Sequence, residues 1–308
     1  MEEIDLTDII NYLISKSYFI LLSTLSIALI IIVISLNLKE IYRSEALLNI
    51  SASNFSDSFQ PPSQITGLAS FAGIDLENGN SSKNKSPDYV VAKIQSRTFF
   101  KHIASFSGIL EGIVAEKSYD KSTSKIIYDK KKYDSVSKTW KMKSLKEGKP
   151  SYIKAHELFL ANLAVGVDKR TRFISIVYDH SSPFFANKII ELIVREVNSI
   201  QMQEDLDESE KALTYLTDLQ STNNIVSIEK SLTSLIGGEI QKQMLASINN
   251  EYLIEYIDEP FVPESRIFPR RTILVISTTV ISFFLIVFIL TFFKFVLGKE
   301  LQGLRFLS

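Results

Sequence analysis

Two stretches of the chain lose the alternation of polar and apolar positions altogether: Ser17 to Leu38 and Thr272 to Phe293 each run without a single charged residue. A helix rises about 1.5 Å per residue, so about 20 apolar residues cross a hydrocarbon core of ~30 Å. Transmembrane helices are therefore predicted at 17–38 and 272–293. Lys16 and Lys39 bound the first, Arg271 and Lys294 the second. Two crossings put 1–16 and 294–308 on one side of the membrane and 39–271 on the other. Ahead of the first span, Ile4, Leu6, Ile9, Ile10, Leu13 and Ile14 recur at helical spacing among Asp5, Asp8 and Asn11. That pattern predicts an amphipathic leader over 1–16 or, equally, a helical extension of the span.

Between the spans the pattern changes several times. Ile41 to Ile50 alternates as a strand, with Tyr42, Ala46 and Leu48 on one face. Residues 51–87 are dominated by Ser, Asn, Gly and Pro, a loop composition that encloses one small apolar island at 65–76. A helix then restarts with Asp88 as its cap after Pro87 and runs through Val90, Val91, Ile94 and Phe99 toward Phe106. Arg172 to Asp179 reads as a mostly buried strand. After Ser181-Ser182-Pro183 a helix begins with proline in its first turn, and Ala186, Ile190, Ile193, Val197 and Ile200 form a packing seam. The seam fades into QMQEDLDESEK at 201–211, so the helix over 183–219 turns polar all round beyond it and is predicted to project into solvent or meet another copy. A returning helix over 225–250 carries Ile228, Leu232, Leu235, Ile236, Ile240 and Leu245, weakened by Gly237-Gly238, and ends in a strand from Tyr252 to Asp258. Pro260, Pro263 and Pro269 then lead, with Arg270, into the second span.

Composition narrows the function classes. The chain has 34 basic against 35 acidic residues, so no global charge favours nucleic acid. It has no cysteine, which excludes disulfides, thiol chemistry and cysteine zinc sites and is compatible with a periplasmic domain. The first apolar run is longer than a signal-peptide core and follows an acidic leader, so it reads as a retained anchor. The basic residues flanking the two spans are nearly balanced across the membrane, so the positive-inside rule does not set the orientation. His102, His156 and His180 are the only histidines, none at metal-ligand spacing, and no hydrolase, metalloprotease or phosphate-loop motif occurs. The carboxylates at Glu204, Asp205, Asp207, Glu208 and Glu210 read as a solvated helix face. No enzyme, cofactor or metal is expected.

The sharpest local feature is a lysine-rich segment. Lys117 to Lys154 holds twelve lysines and four acidic residues, interleaved with Tyr119, Tyr128, Tyr133, Trp140 and Tyr152. Such a segment suits an acidic polysaccharide or an anionic membrane surface, with Lys130, Lys131, Lys132, Lys141 and Lys143 as candidate contacts. The plainer alternative is a solvated surface whose lysine stems cover aromatic rings. Nucleic acid is disfavoured by the position outside the membrane.

The ending NEYLIEYIDEPFVPESRIFPRR, followed at once by a span, resembles the proline-rich approach to the second membrane helix in Wzz-type chain-length determinants, the polysaccharide co-polymerases of bacterial inner membranes. TNNIVSIEKSLTSLIGGEIQKQMLASINNEY is similar to that family's returning helix, RFISIVYDHSSPFFANKIIELIVREVN to its strand and long helix, and IDLTDIINYLISKSYFILL to its opening. The resemblance covers both ends and the last 140 residues; Lys117 to Tyr152 has no counterpart. It implies an α+β fold with a mixed α/β base near the membrane and a long extended helical hairpin. It also implies a homo-oligomer acting with a membrane polysaccharide polymerase on lipid-linked polysaccharide, with Leu206, Leu213 and Leu216 as contacts between copies. Family members commonly have glycines in the second span, whereas here Thr278 and Ser282 are its one pair of small residues a turn apart, so no glycine-mediated contact between spans is expected. The absence of a GxxxxGK[ST] loop and the short 294–308 tail predict no autokinase output. Two other readings stay open: an inner-membrane export component coupling a transporter to the outer membrane, and a two-span sensor with an external ligand domain.

Overall fold

A computed structural model describes residues 6–51, 86–141, 150–222, 232–240, 243–244 and 251–305. The apolar island at 65–76, Lys143, Ile228 and Leu245 lie outside them. The elements, in chain order, begin with helices α1 (Leu6–Ser15) and α2 (Ser17–Asn37), strand β1 (Tyr42–Ile50) and helices α3 (Pro87–Gln95), α4 (Arg97–Ile103) and α5 (Ile109–Val114). Strands β2 (Glu116–Asp120), β3 (Lys125–Tyr128), β4 (Tyr133–Asp134) and β5 (Thr139–Trp140) follow. Next come α6 (Tyr152–Asn162), β6 (Leu163–Val167), β7 (Ile174–His180) and the long α7 (Pro183–Thr222). Residues 232–240 form α8, and β8 (Ile254–Asp258) and α9 (Arg271–Arg305) complete the chain. The fold is α+β, with two helices long and apolar enough to cross a membrane, Ser17–Asn37 and Arg271–Lys294. The chain divides into two compact units, one made of residues 1–41 with 266–308 and the other of 42–265.

In the first unit α2 and α9 pack together. The side chains withdrawn from the surface form one stripe on each helix: Ile20, Ser23, Thr24, Ile27, Ala28, Ile31 and Ser35 on α2, and Leu274, Val275, Thr278, Thr279 and Ser282 on α9. Small residues on both helices allow close approach without glycine, so the absence of glycine from the second span does not keep the two apart. The hydroxyls of Ser23, Thr24, Thr278, Thr279 and Ser282 bond to their own helices, as Thr24 Oγ1 to the Ile20 carbonyl (2.9 Å) and Thr279 Oγ1 to that of Val275 (2.7 Å). Those hydroxyls then need no water in an apolar surround, whereas the Ser35 hydroxyl is buried on the α2 stripe with no hydrogen-bond partner among the described residues.

The second unit is built on a four-stranded antiparallel sheet in the order β6-β7-β1-β8. Alternation along β1 buries Tyr42, Ser44, Ala46, Leu48 and Ile50, and along β7 buries Ile174, Ile176, Tyr178 and His180. The first turns of α7 cover these positions with Ala186, Ile189, Ile190, Ile193 and Val197, all fully buried. Their burial is wider than the predicted single seam because α3 and α4 also pack on α7. Val90, Ile94, Phe99, Phe100, Ile103 and Phe159 close the core.

Three expectations are corrected here. The helix after the loop is capped by Ser86, whose Oγ accepts the Tyr89 N–H (3.1 Å), with Pro87 at the first helical position and Asp88 inside the first turn. It does not continue to Phe106. Ser96 adopts an extended conformation, ends α3 and caps α4 by accepting the Phe99 N–H (3.1 Å). Nor is α7 polar all round beyond Ile200: Gln201, Asp205, Ser209 and Leu216 are buried along one face. Gln201 Nε2 donates to Asp205 Oδ1 (2.9 Å), the Tyr252 hydroxyl to Asp205 Oδ2 (2.6 Å) and Ser209 Oγ to the Glu239 carbonyl (3.3 Å). A polar seam continues the apolar one and is covered by the chain's own return.

Candidate functional site

Two places concentrate chemistry beyond the core. The first is the pair of segments adjoining the membrane helices within the first unit. Residues 40–41 follow α2, residues 266–270 precede α9, which opens at Arg271, and the two segments pair antiparallel at Ile41 and Phe268. The Ile41 N–H donates to the Phe268 carbonyl (3.0 Å) and the Ile267 N–H to the Ile41 carbonyl (2.9 Å). Glu40 Oε1 receives both Arg266 Nη1 (2.6 Å) and Arg271 Nη2 (3.1 Å). One carboxylate thus clamps two guanidiniums that stand more than 200 positions away in sequence, in a partly buried setting where charge-assisted bonds are strong. Pro269 is buried in this junction, and Arg270, exposed, makes no ion pair among the described residues. In the second unit Pro263 is buried and Pro260 half-buried, and Ser44 Oγ donates to the Phe261 carbonyl (2.9 Å). Sequence reasoning found the prolines and missed Glu40, whose role depends on a contact between the two ends of the chain.

The second place is the lysine-rich segment, which folds as two small antiparallel hairpins, β2-β3 and β4-β5. Their aromatic residues pack on one another: the Tyr133 ring centroid lies 5.0 Å from Trp140 and 5.5 Å from Tyr128. Burial pushes the Tyr133 and Tyr128 phenols above their ordinary pKa. The module is anchored at the end of β7. The Ser182 N–H donates to His180 Nδ1 (3.0 Å), His180 Nε2 faces the Gly112 carbonyl (3.2 Å), and Ser181 Oγ donates to Glu116 on β2. With Nδ1 accepting, the neutral ring carries its proton on Nε2, aimed at that carbonyl. Gly112 has no room for a side chain, since a Cβ there would stand 2.3 Å from the buried Phe185 ring.

Between these hairpins and the first turns of α7 lies an open cleft of about 900 Å³. Lys125, Lys130, Lys141 and Lys188 line it, together with Asp134 and the exposed Phe184. Asp134 is held down to about 2, chiefly by the Lys141 ammonium at 2.8 Å and then by the Val136 and Ser137 N–H groups. Of the predicted contacts, Lys130 and Lys141 are in this cleft. Lys132 turns inward to the Val114 carbonyl (3.0 Å), and Lys131 does not line the cleft. Lys125 lies within the predicted segment but is not among its candidate contacts; Phe184 and Lys188 come from α7, beyond the end of that segment, where periodicity speaks only of core packing.

Along α7, Leu206 and Leu213 are half-buried, whereas Leu216 is 2% exposed within the single chain. Among the described residues, no three His, Asp or Glu side chains gather as metal ligands. Glu204, Asp207, Glu208 and Glu210 are exposed, while Asp205 is buried in the polar seam.

No protein-family model matches the chain, and no curated protein is significantly similar to it. Among solved structures, it is similar to a full-length bacterial polysaccharide co-polymerase, at 10% identity and a TM-score of 0.39, with 97% of this chain and 98% of that one covered. It is also similar to a fragment of WzzB, a polysaccharide co-polymerase from Salmonella Typhimurium, at 14% identity and a TM-score of 0.28, with 75% and 100% covered.

Proposed function

We propose that this protein is a non-enzymatic regulator of surface polysaccharide chain length, of O-antigen or a similar polymer. In this reading it works as a homo-oligomer in the bacterial inner membrane, with residues 39–271 in the periplasm, beside a membrane polymerase acting on lipid-linked glycan. The observation that carries the reading is the proline-rich stretch 251–271 running directly into a membrane span, in the same order of parts as the family it resembles. Its construction in three dimensions is consistent with that role. Pro263 and Pro269 are buried, and Glu40 ties the segments adjoining both spans.

Such a protein acts by position. The clamp at Glu40 and the paired stripes of α2 and α9 make the two spans one unit, a fixed membrane element against which a polymerase can sit. Leu206 and Leu213 on α7 are the side chains offered to a neighbouring copy; Leu216 is taken up by the chain's own packing. Disrupting the gene is expected to change the length distribution of a surface polysaccharide while repeat units are still made, and the detergent-solubilised protein is expected to run as an oligomer. Finished polymer trapped inside the cell would instead indicate the export role, and a monomer would argue against both.

A further inference from the structure

We infer that the cleft between the β2–β5 hairpins and the start of α7 binds an acidic saccharide, with carboxylate groups of the sugar on Lys125, Lys130 and Lys188 and a ring face on Phe184. The choice of a saccharide rests on the proposed function; the acidity is read from the cleft itself. Four lysines line it against one carboxylate, and that carboxylate is already matched by Lys141 at 2.8 Å. Among the described residues Lys125, Lys130 and Lys188 form no salt bridge, and all three are exposed. Three ammonium groups held around one concavity repel one another and concentrate an anion.

The remaining surface argues for a sugar. Phe184 is 53% exposed at the edge of the cleft, although Phe185 beside it is buried; Ser182 had every geometric means to cap the helix without an exposed aromatic ring next to Pro183. An aromatic face beside hydroxyl groups, here Thr123, Ser124 and Ser135, suits a ligand with apolar C–H faces and many hydroxyls. A volume of about 900 Å³ is in the range of ligand clefts, about 300–1,000 Å³. A concave site selects a chain or ring that enters it, whereas a flat bilayer surface would meet lysines on a projecting face.

The chain has a single tryptophan, and Trp140 packs at 5.0 Å on Tyr133, which lines the cleft, so tryptophan emission, excited at the red edge where the twelve tyrosines do not absorb, reports on this site. The full chain in neutral detergent is titrated with oligogalacturonate, with maltohexaose of similar size as the neutral probe and phosphatidylglycerol vesicles as the lipid probe. A saturable, salt-sensitive change with oligogalacturonate and none with maltohexaose is expected. Lys125→Ala with Lys188→Ala should weaken it at least tenfold and Phe184→Ala severalfold, while Lys169→Ala, far outside the cleft, should leave it unchanged. No saturable change, equal binding of the neutral sugar, or equal loss in the Lys169 variant would overturn the inference. So would vesicle binding that depends on Lys125 and Lys188 without any oligogalacturonate response, which would assign the lysines to lipid. Chain-length control could still hold if this cleft bound nothing, because gene disruption reads that function separately.

Discussion

Single residues carry the most specific consequences. Gly112→Ala places a Cβ 2.3 Å from the Phe185 ring, which is buried and tilted against His180 with ring centroids 4.2 Å apart, so neither neighbour can give way cheaply. Overpacking of this kind costs about 1–3 kcal/mol. The variant is expected to melt several degrees below the parent in a thermal scan, and an unchanged midpoint would mean the helix shifts freely. At the junction, Glu40→Gln removes the charge shared by Arg266 and Arg271, a loss on the order of 1–3 kcal/mol for a partly buried, hydrogen-bonded group. A double-mutant cycle with Arg266→Met checks it: a coupling of about 0.5 kcal/mol or more is expected, and additive effects would show that the clamp contributes nothing. Neither Gly112 nor Glu40 stands out in the sequence. A glycine's missing side chain and a carboxylate's distant partners become meaningful only when the chain has brought Phe185 and Arg266 alongside.

Elements were more legible than their joints. The apolar runs and the Ser-Ser-Pro start of the long helix read directly as elements, because period and capping are local properties. What escaped were short pieces held by tertiary context: β6, the two hairpins and the break at Ser96. The polar half of α7 misled for a related reason. Gln201, Asp205 and Ser209 repeat every four residues, but a buried polar stripe has the composition of an exposed one, and its partner Tyr252 lies 47 positions from Asp205. Tyr252→Phe removes the 2.6 Å bond and leaves Asp205 without that donor, an expected loss of about 1–3 kcal/mol. The same tyrosine sets a pH limit. Burial and then the Asp205 carboxylate raise the Tyr252 phenol well above its ordinary pKa of 10, and burial raises Tyr178 and Tyr256 too. An acid whose folded pKa is raised stabilises fully below its unfolded value and loses that contribution as pH climbs past it. Stability followed by circular dichroism should therefore fall above about pH 10, where these phenols ionise first in the unfolded chain. The decline should be shallower in Tyr252→Phe, and an identical slope would remove this residue from the account.

For the whole molecule, the sequence already implied a tethered α+β domain between two spans, and the lysine segment already marked a surface with a charge bias. It could not say which lysines converge, because Lys188 and Phe184 reach the cleft from α7 while Lys132 turns into the fold to cap the Val114 carbonyl. Convergence of that kind depends on how the hairpins are anchored by His180 and Glu116, a contact between distant segments. The central claim concerns polymer length, and it is measured on the polymer. Surface polysaccharide from cells with the gene, without it, and with it restored is separated by size on one gel. A modal cluster of lengths that disperses on disruption and returns on re-expression, with short repeat-unit chains present throughout, is the predicted result. A ladder identical in all three would contradict the account.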